Sequence, residues 1–255
     1  MIDFSQQPWG LVLAGGGGKG SYQVGVFKAL FEYNIFDKIV AISGSSVGAI
    51  NGALFSTGNQ HTVEAAWDDI TPEKMLGPDI SLIDGHEGFV SRDGMNELID
   101  NYLNLEEIAD SDKTIYVSTC NFGRRDTGDS EINYFTLNKK KPDMIRKLIL
   151  ATSALPAIYE PVLIDGEIHK DGGLLDNLPI KPLYDMGIRH FIVVELHQRD
   201  IPEELFPGAK FVFIRPSDDI GEFVDGTLDF TKAGVKRRSE LGYYDAKRVL
   251  ELTEY

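Results

Sequence analysis

The chain has 255 residues, 42% of them hydrophobic and 25% charged, an ordinary composition for a folded protein of one large domain. Its net charge of −15 excludes nucleic acid as the main partner and weakens any electrostatic recruitment to anionic membranes. No apolar run approaches ~18 residues, so no transmembrane helix is expected. Asp3 with no basic stretch behind it does not read as a signal peptide, and a lone cysteine, Cys120, allows no internal disulfide. A cytoplasmic protein, peripheral to membranes at most, is the expectation.

In chain order, residues 9–14 (WGLVLA) are a short apolar strand running into glycines. A helix follows over 21–34, with Val24, Phe27 and Phe31 on one stripe. Residues 38–43 (KIVAIS) are the next strand, and 46–58 a second helix with Val47, Ile50 and Leu54 at helical spacing. Strand, helix, strand, helix predicts a parallel sheet. Residues 60–112 read as mostly helical, with Met95, Leu98, Ile99 and Tyr102 on one face, and their position makes them a candidate lid.

Residues 114–120 and 131–137 are strands around a polar loop, and Pro142 opens a helix over 142–154. Asp165-Gly166 between two short runs signals a hairpin. Residues 191–196 and 210–216 are buried parallel-type strands, and 227–255 read as one long charged helix. Everything fits one α/β domain, a three-layer α/β/α arrangement around a central, mainly parallel sheet, with no linker. Cys120 is expected as a small buried residue in a strand.

Three motifs carry possible chemistry. In "ISGSSVGAING" only Ser46 has glycine two residues away on both sides, Gly44 and Gly48. That spacing, between a strand and a helix, exposes a nucleophilic serine on a tight turn; the alternative is a helix N-cap serine among small neighbours. In "AGGGGKGSYQ", Gly15, Gly17 and Gly20 satisfy the dinucleotide-binding spacing. The second strand, however, lacks the terminal acid that would hold a ribose, and Lys19 is not followed by Ser or Thr as in a phosphate loop. Clustered glycine amides also suit a developing oxyanion. In "HKDGGLLDNLPI", Asp171 precedes Gly172 and Gly173; alone, such a run is commonly a turn.

Together and in this order, "GGGGKG", "GSSVG", "DGG" and the run "ATSALPAIYEPV" resemble the patatin-like phospholipase family over about residues 9–196. The resemblance implies a Ser-Asp dyad that hydrolyses lipid acyl esters without a metal or other cofactor. Ser46 is then the nucleophile, Asp171 the base, and the amides of Gly15, Gly16, Gly17 and Gly18 the oxyanion hole. Lys19 stands where arginine is common in the family, and Ala14 where some members carry aspartate. Gly20, Gly44, Gly48, Gly172, Gly173 and Asn177 are supporting positions, and Pro179 is expected to fix the loop exit.

The partner implied is a lipid ester, met at a membrane surface. Two rivals are a nucleotide-binding oxidoreductase using the glycine loop and a non-catalytic lipid-binding module. His61, His86, His169, His190 and His197 are weaker candidates for a triad, with His190 and His197 flanking a strand and alternation turning His169 away from Asp171. The basic runs 138–141 and 236–238 read as solvated helix faces, and Asp68 and Asp69 as surface acids.

Overall fold

The computed structural model describes residues 4, 8–77, 90–124, 129–197, 201 and 203–253. His86 and residues 78–89 of the candidate lid lie outside the described residues. The eight strands among them form one sheet: β1 (Trp9–Leu13), β2 (Ile39–Gly44), β3 (Thr114–Asn121), β4 (Glu131–Thr136), β5 (Val162–Ile164), β6 (Glu167–Asp171), β7 (His190–Val194) and β8 (Lys210–Ile214). β8, β7, β1, β2 and β3 run parallel, in that spatial order. β4 and the β5–β6 hairpin add antiparallel strands around β3. The hairpin turns at Asp165 and Gly166, both at positive φ, as the Asp-Gly signal required.

Strand alternation divides the core. Leu11, Leu13, Ile42, Ile192 and Val194 face a large cluster covered by α1 (Ser21–Glu32), α2 (Val47–Ser56), α3 (Gln60–Asp69), α4 (Pro72–Leu76), α5 (Asp93–Tyr102), α6 (Leu105–Asp110) and α7 (Pro142–Thr152). Val12, Ala41, Phe191 and Val193 face a smaller cluster under α8 (Lys181–Asp185). The result is the expected α/β/α layering, with one thin layer. Cys120 is buried in β3, where burial pushes its thiol up to about 11.

Three local readings are corrected. The final helix, α9 (Lys232–Thr253), starts later than expected because Thr231 caps it, its Oγ1 accepting the Gly234 amide at 3.1 Å. Residues 138–141 form a turn before α7 and not a helix face. Arg238, read as solvated, is fully buried; it donates to Ser21 Oγ at 2.9 Å and to Asp229 Oδ2 at 2.9 Å.

The register around β3 sets the site. β4 covers one side of β3 from Tyr116 to Asn121. The other side is shared, with β2 pairing Thr114–Val117 and β6 pairing Thr119–Asn121 from the opposite direction. The ends of β2 and β6 therefore meet head to head beside β3. Gly44 stands opposite Val117 and Asp171 opposite Thr119, so residues just past Gly44 are delivered to Asp171.

Candidate active site

Ser46 sits between β2 and α2 at φ 53°, ψ −128°, a backbone conformation that non-glycine residues rarely hold. The turn is possible because Gly44 and Gly48 touch. A Cβ on Gly44 would stand 2.4 Å from the Gly48 carbonyl carbon, and one on Gly48 2.3 Å from the Leu13 carbonyl oxygen. Ser46 occupies the N-cap position of α2, yet its side chain makes no capping bond. Its hydroxyl stands next to the Asp171 carboxylate, close enough to favour the ionised form, and its amide donates to Thr152 Oγ1 at 3.0 Å. Ser46 is thus the N-cap of α2 by position, as the alternative reading had it, but its side chain does no capping.

Asp171 is 3% exposed, and burial raises its carboxyl to about 6, with the Ser46 hydroxyl and the Gly173 amide pulling the other way. The Gly173 amide donates to Oδ1 at 2.8 Å. Behind it, Asn177 grips Gly15 twice, accepting its amide at 3.0 Å and donating to its carbonyl at 3.2 Å. The Ser43 hydroxyl donates to the Pro179 carbonyl at 2.6 Å, tying the exit of this loop to β2.

The glycine loop follows β1 and lies over Ser46. Gly15 is not a free donor, because Asn177 holds its amide. Gly18 is buried against the Asp229 carbonyl oxygen, 2.1 Å from where its Cβ would be. Gly16 and Gly17 line the cavity over Ser46, and their amides make no hydrogen bond among the described residues. Gly17, at φ +54°, is pressed by the Thr227 carbonyl oxygen, 2.3 Å from its Cβ position. Gly20 packs on Val47, and Gly172 on the Ser118 carbonyl. Lys19 is 1% exposed, its Nζ 3.4 Å from His197 Nδ1. Burial lowers its pKa, opposed by Glu222, Asp219 and Asp225.

These groups open on a cavity of about 270 Å³. Val47, Ile50 and Leu54 of α2, Trp67 of α3 and Met95 and Leu98 of α5 form an apolar wall, so the described part of the candidate lid lines the cavity. Leu174 and Phe223 stand at its mouth, 48% and 52% exposed. Among the described residues Asp171 is the one carboxylate in the lining.

Of the histidines, His61 is exposed beside Glu64 and His190 stacks near Trp9 at the far end of its strand. His197 lines the cavity just past β7, a placement that flanking a strand did not reveal. His169 is not turned away from Asp171, since residues two apart on a strand share a face and both are buried. Its ring bonds instead to Thr119 Oγ1 at 2.9 Å.

Fold and site together define an α/β protein with a half-buried serine beside a buried aspartate at the carboxyl edge of its sheet, under a glycine-rich loop. Residues 11–184 match the family model described as patatin-like phospholipase, and the chain belongs to that family. It is 27% identical over 209 residues to lysophospholipase NTE1 of Cryptococcus neoformans, covering 76% of this chain and 11% of that protein. It is also 27% identical over 197 residues to patatin-like phospholipase domain-containing protein 7 of Rattus norvegicus, covering 74% of this chain and 14% of that protein.

The chain thus spans only about a tenth to a seventh of these relatives. Its fold is like that of VipD from Legionella pneumophila, with a TM-score of 0.55, 13% identity and coverage of 96% of this chain and 67% of that one. Human GIVD cytosolic phospholipase A2 is similar in fold too, with a TM-score of 0.54 at 8% identity, covering 97% of this chain and 59% of that one.

Proposed function

We propose that this protein is a serine acyl hydrolase that cleaves lipid esters through Ser46 and Asp171. The observation that carries this is the Ser46 hydroxyl beside a buried carboxylate, both lining the head of an apolar cavity. Asp171 takes the hydroxyl proton as Ser46 Oγ bonds to the acyl carbon, and the carbonyl oxygen becomes an anion facing the Gly16 and Gly17 amides. Collapse breaks the ester C–O bond, and Asp171 returns its proton to the departing alcohol. Water then gives a proton to Asp171 as it attacks the acyl-serine; collapse breaks the acyl C–Oγ bond, Asp171 returns the proton to Ser46 Oγ, and the fatty acid leaves. A carboxyl raised to about 6 is a better base than an ordinary aspartate, yet it remains far weaker than a serine alkoxide, so the reaction leans on the oxyanion donors.

One relative is named a lysophospholipase, which makes a single-chain phospholipid the first substrate to test. The protein meets that substrate at a membrane surface. Leu174 and Phe223 at the mouth continue into Leu175 and Val224, 50% and 60% exposed, an apolar rim suited to a lipid surface. A dinucleotide finds no ribose acid after β2 and an apolar wall where its polar groups would lie.

The test is peptide mapping after fluorophosphonate treatment, with hydrolysis of lysophosphatidylcholine measured in parallel. A single adduct on Ser46 is expected, with Ser46→Ala and Asp171→Asn each lowering kcat by about 10³ or more. Full activity in Ser46→Ala would overturn the reading.

A further inference from the structure

Glycines 15 to 18 have no side chains with which to hold their own backbone, yet two of their amides must be aimed at one oxygen. The two carbonyls that bracket the loop are both held from below. Gln23 Nε2 donates to the Ala14 carbonyl at 2.8 Å, and Asn51 Nδ2 donates to the Gly20 carbonyl at 3.0 Å. The two holders are joined, Asn51 Nδ2 donating to Gln23 Oε1 at 2.8 Å. A third residue completes the chain, as Trp67 Nε1 donates to Asn51 Oδ1 at 2.9 Å. All three side chains are buried, Gln23 at 0%, Asn51 at 1% and Trp67 at 3% exposure.

The chain has one direction. An indole nitrogen only donates, so Asn51 must turn its oxygen to Trp67 and its two N–H groups to Gly20 and Gln23. Gln23 must then present its oxygen to Asn51 and its nitrogen to Ala14. A single donor on α3 therefore sets the orientation of two amides, on α2 and α1, and through them both ends of the glycine loop. Trp67 and Asn51 also line the cavity, so the wall that takes the acyl chain contains the first link of the brace.

We propose that Trp67, Asn51 and Gln23 are positioning residues that aim the Gly16 and Gly17 amides. This rests on the hydrolase reading above. Gln23 lies outside the cavity lining, so Gln23→Met probes the brace without touching substrate. Per site titrated with fluorophosphonate, its kcat on lysophosphatidylcholine should fall about tenfold or more with KM within twofold of wild type.

Affinity for a long-chain trifluoromethyl ketone should fall by a similar factor. Ser46 Oγ adds to that ketone, its proton passes to Asp171, and the oxygen becomes an anion. Affinity for an uncleavable ether-linked analogue should not change. A brace that merely stabilised the fold would lower Tm and leave kcat and ketone affinity per site unaltered, which would overturn the proposal. Trp67→Phe keeps the aromatic wall and removes only the donor, so the ketone comparison can be repeated on it should Gln23→Met fail to fold.

If wild type neither hydrolyses lipid nor takes the fluorophosphonate, the hydrolase reading fails separately. Hydrogen exchange over residues 14–20 then judges the brace, which requires faster exchange in Gln23→Met and is refuted by an unchanged rate.

Discussion

Asp171 is a carboxylate kept out of water, and two measurable effects follow. As the base it must be ionised, so kcat/KM should rise about tenfold per pH unit below 6 and level off above it. A profile flat from pH 4.5 to 8 would remove Asp171 from the base role. The same burial bears on stability. With the folded pKa above the ordinary carboxylate value, this residue contributes most favourably below about pH 4. That contribution is lost as pH rises through about 6, where the buried group must ionise. Asp171→Asn should therefore be inactive yet more stable than wild type at pH 8, by about 3 kcal/mol in urea unfolding. The gain should vanish near pH 3.5; an equal gain at both pH values would assign it to something other than charge.

Among the elements, α9 is anchored to α1 by two glycines where the helices cross. A Cβ on Gly25 would stand 1.8 Å from the Ser239 carbonyl oxygen, and one on Gly242 2.0 Å from that of Tyr22. Gly25→Ala should cost about 2–3 kcal/mol of unfolding free energy; an unchanged Tm would mean the helices separate without loss. Such contacts also mark where the sequence stops being readable. The β2–Ser46–α2 unit and the Asp165–Gly166 hairpin were legible because their signals are local, in apolar period and glycine placement. The pairing of β6 with the free half of β3 was not, since Thr119 and Asp171 carry no mark that they are neighbours. Only motif order, through the family resemblance, linked the two halves of the dyad. Gln23, Asn51 and Trp67 were missed for the same reason, because each alone is an ordinary residue within a helix. α8 has Pro182 in its first turn as a start signal, but with no side-chain cap at Ile180 and only 5 residues it shows no apolar period to read.

At the scale of the molecule, the charge of −15 and the apolar rim act in opposite senses on a membrane. No helix among the described residues is long and apolar enough to cross one; in the docking proposed above the rim supplies the contact. Ser46→Ala protein should bind phosphatidylcholine vesicles more tightly than phosphatidylglycerol vesicles, with the gap narrowing as salt is raised. In the same flotation assay Val224→Glu should weaken binding to phosphatidylcholine about tenfold, while hydrolysis of a water-soluble short-chain ester is retained. Equal flotation of Val224→Glu and its parent would take the rim out of the docking surface.

The backbone of residues 227–229 lies directly against Gly17 and Gly18, which bears on how such a protein is made. On the ribosome Ser46 emerges well ahead of Asp171, the carboxylate proposed to activate it. The support that presses the glycine loop into place emerges later still. Between those points of synthesis the chain holds Ser46 with neither the proposed base nor the support behind the glycine loop. The proposed dyad and its oxyanion donors therefore cannot act together until residues 227–229 have been made and have folded against the loop.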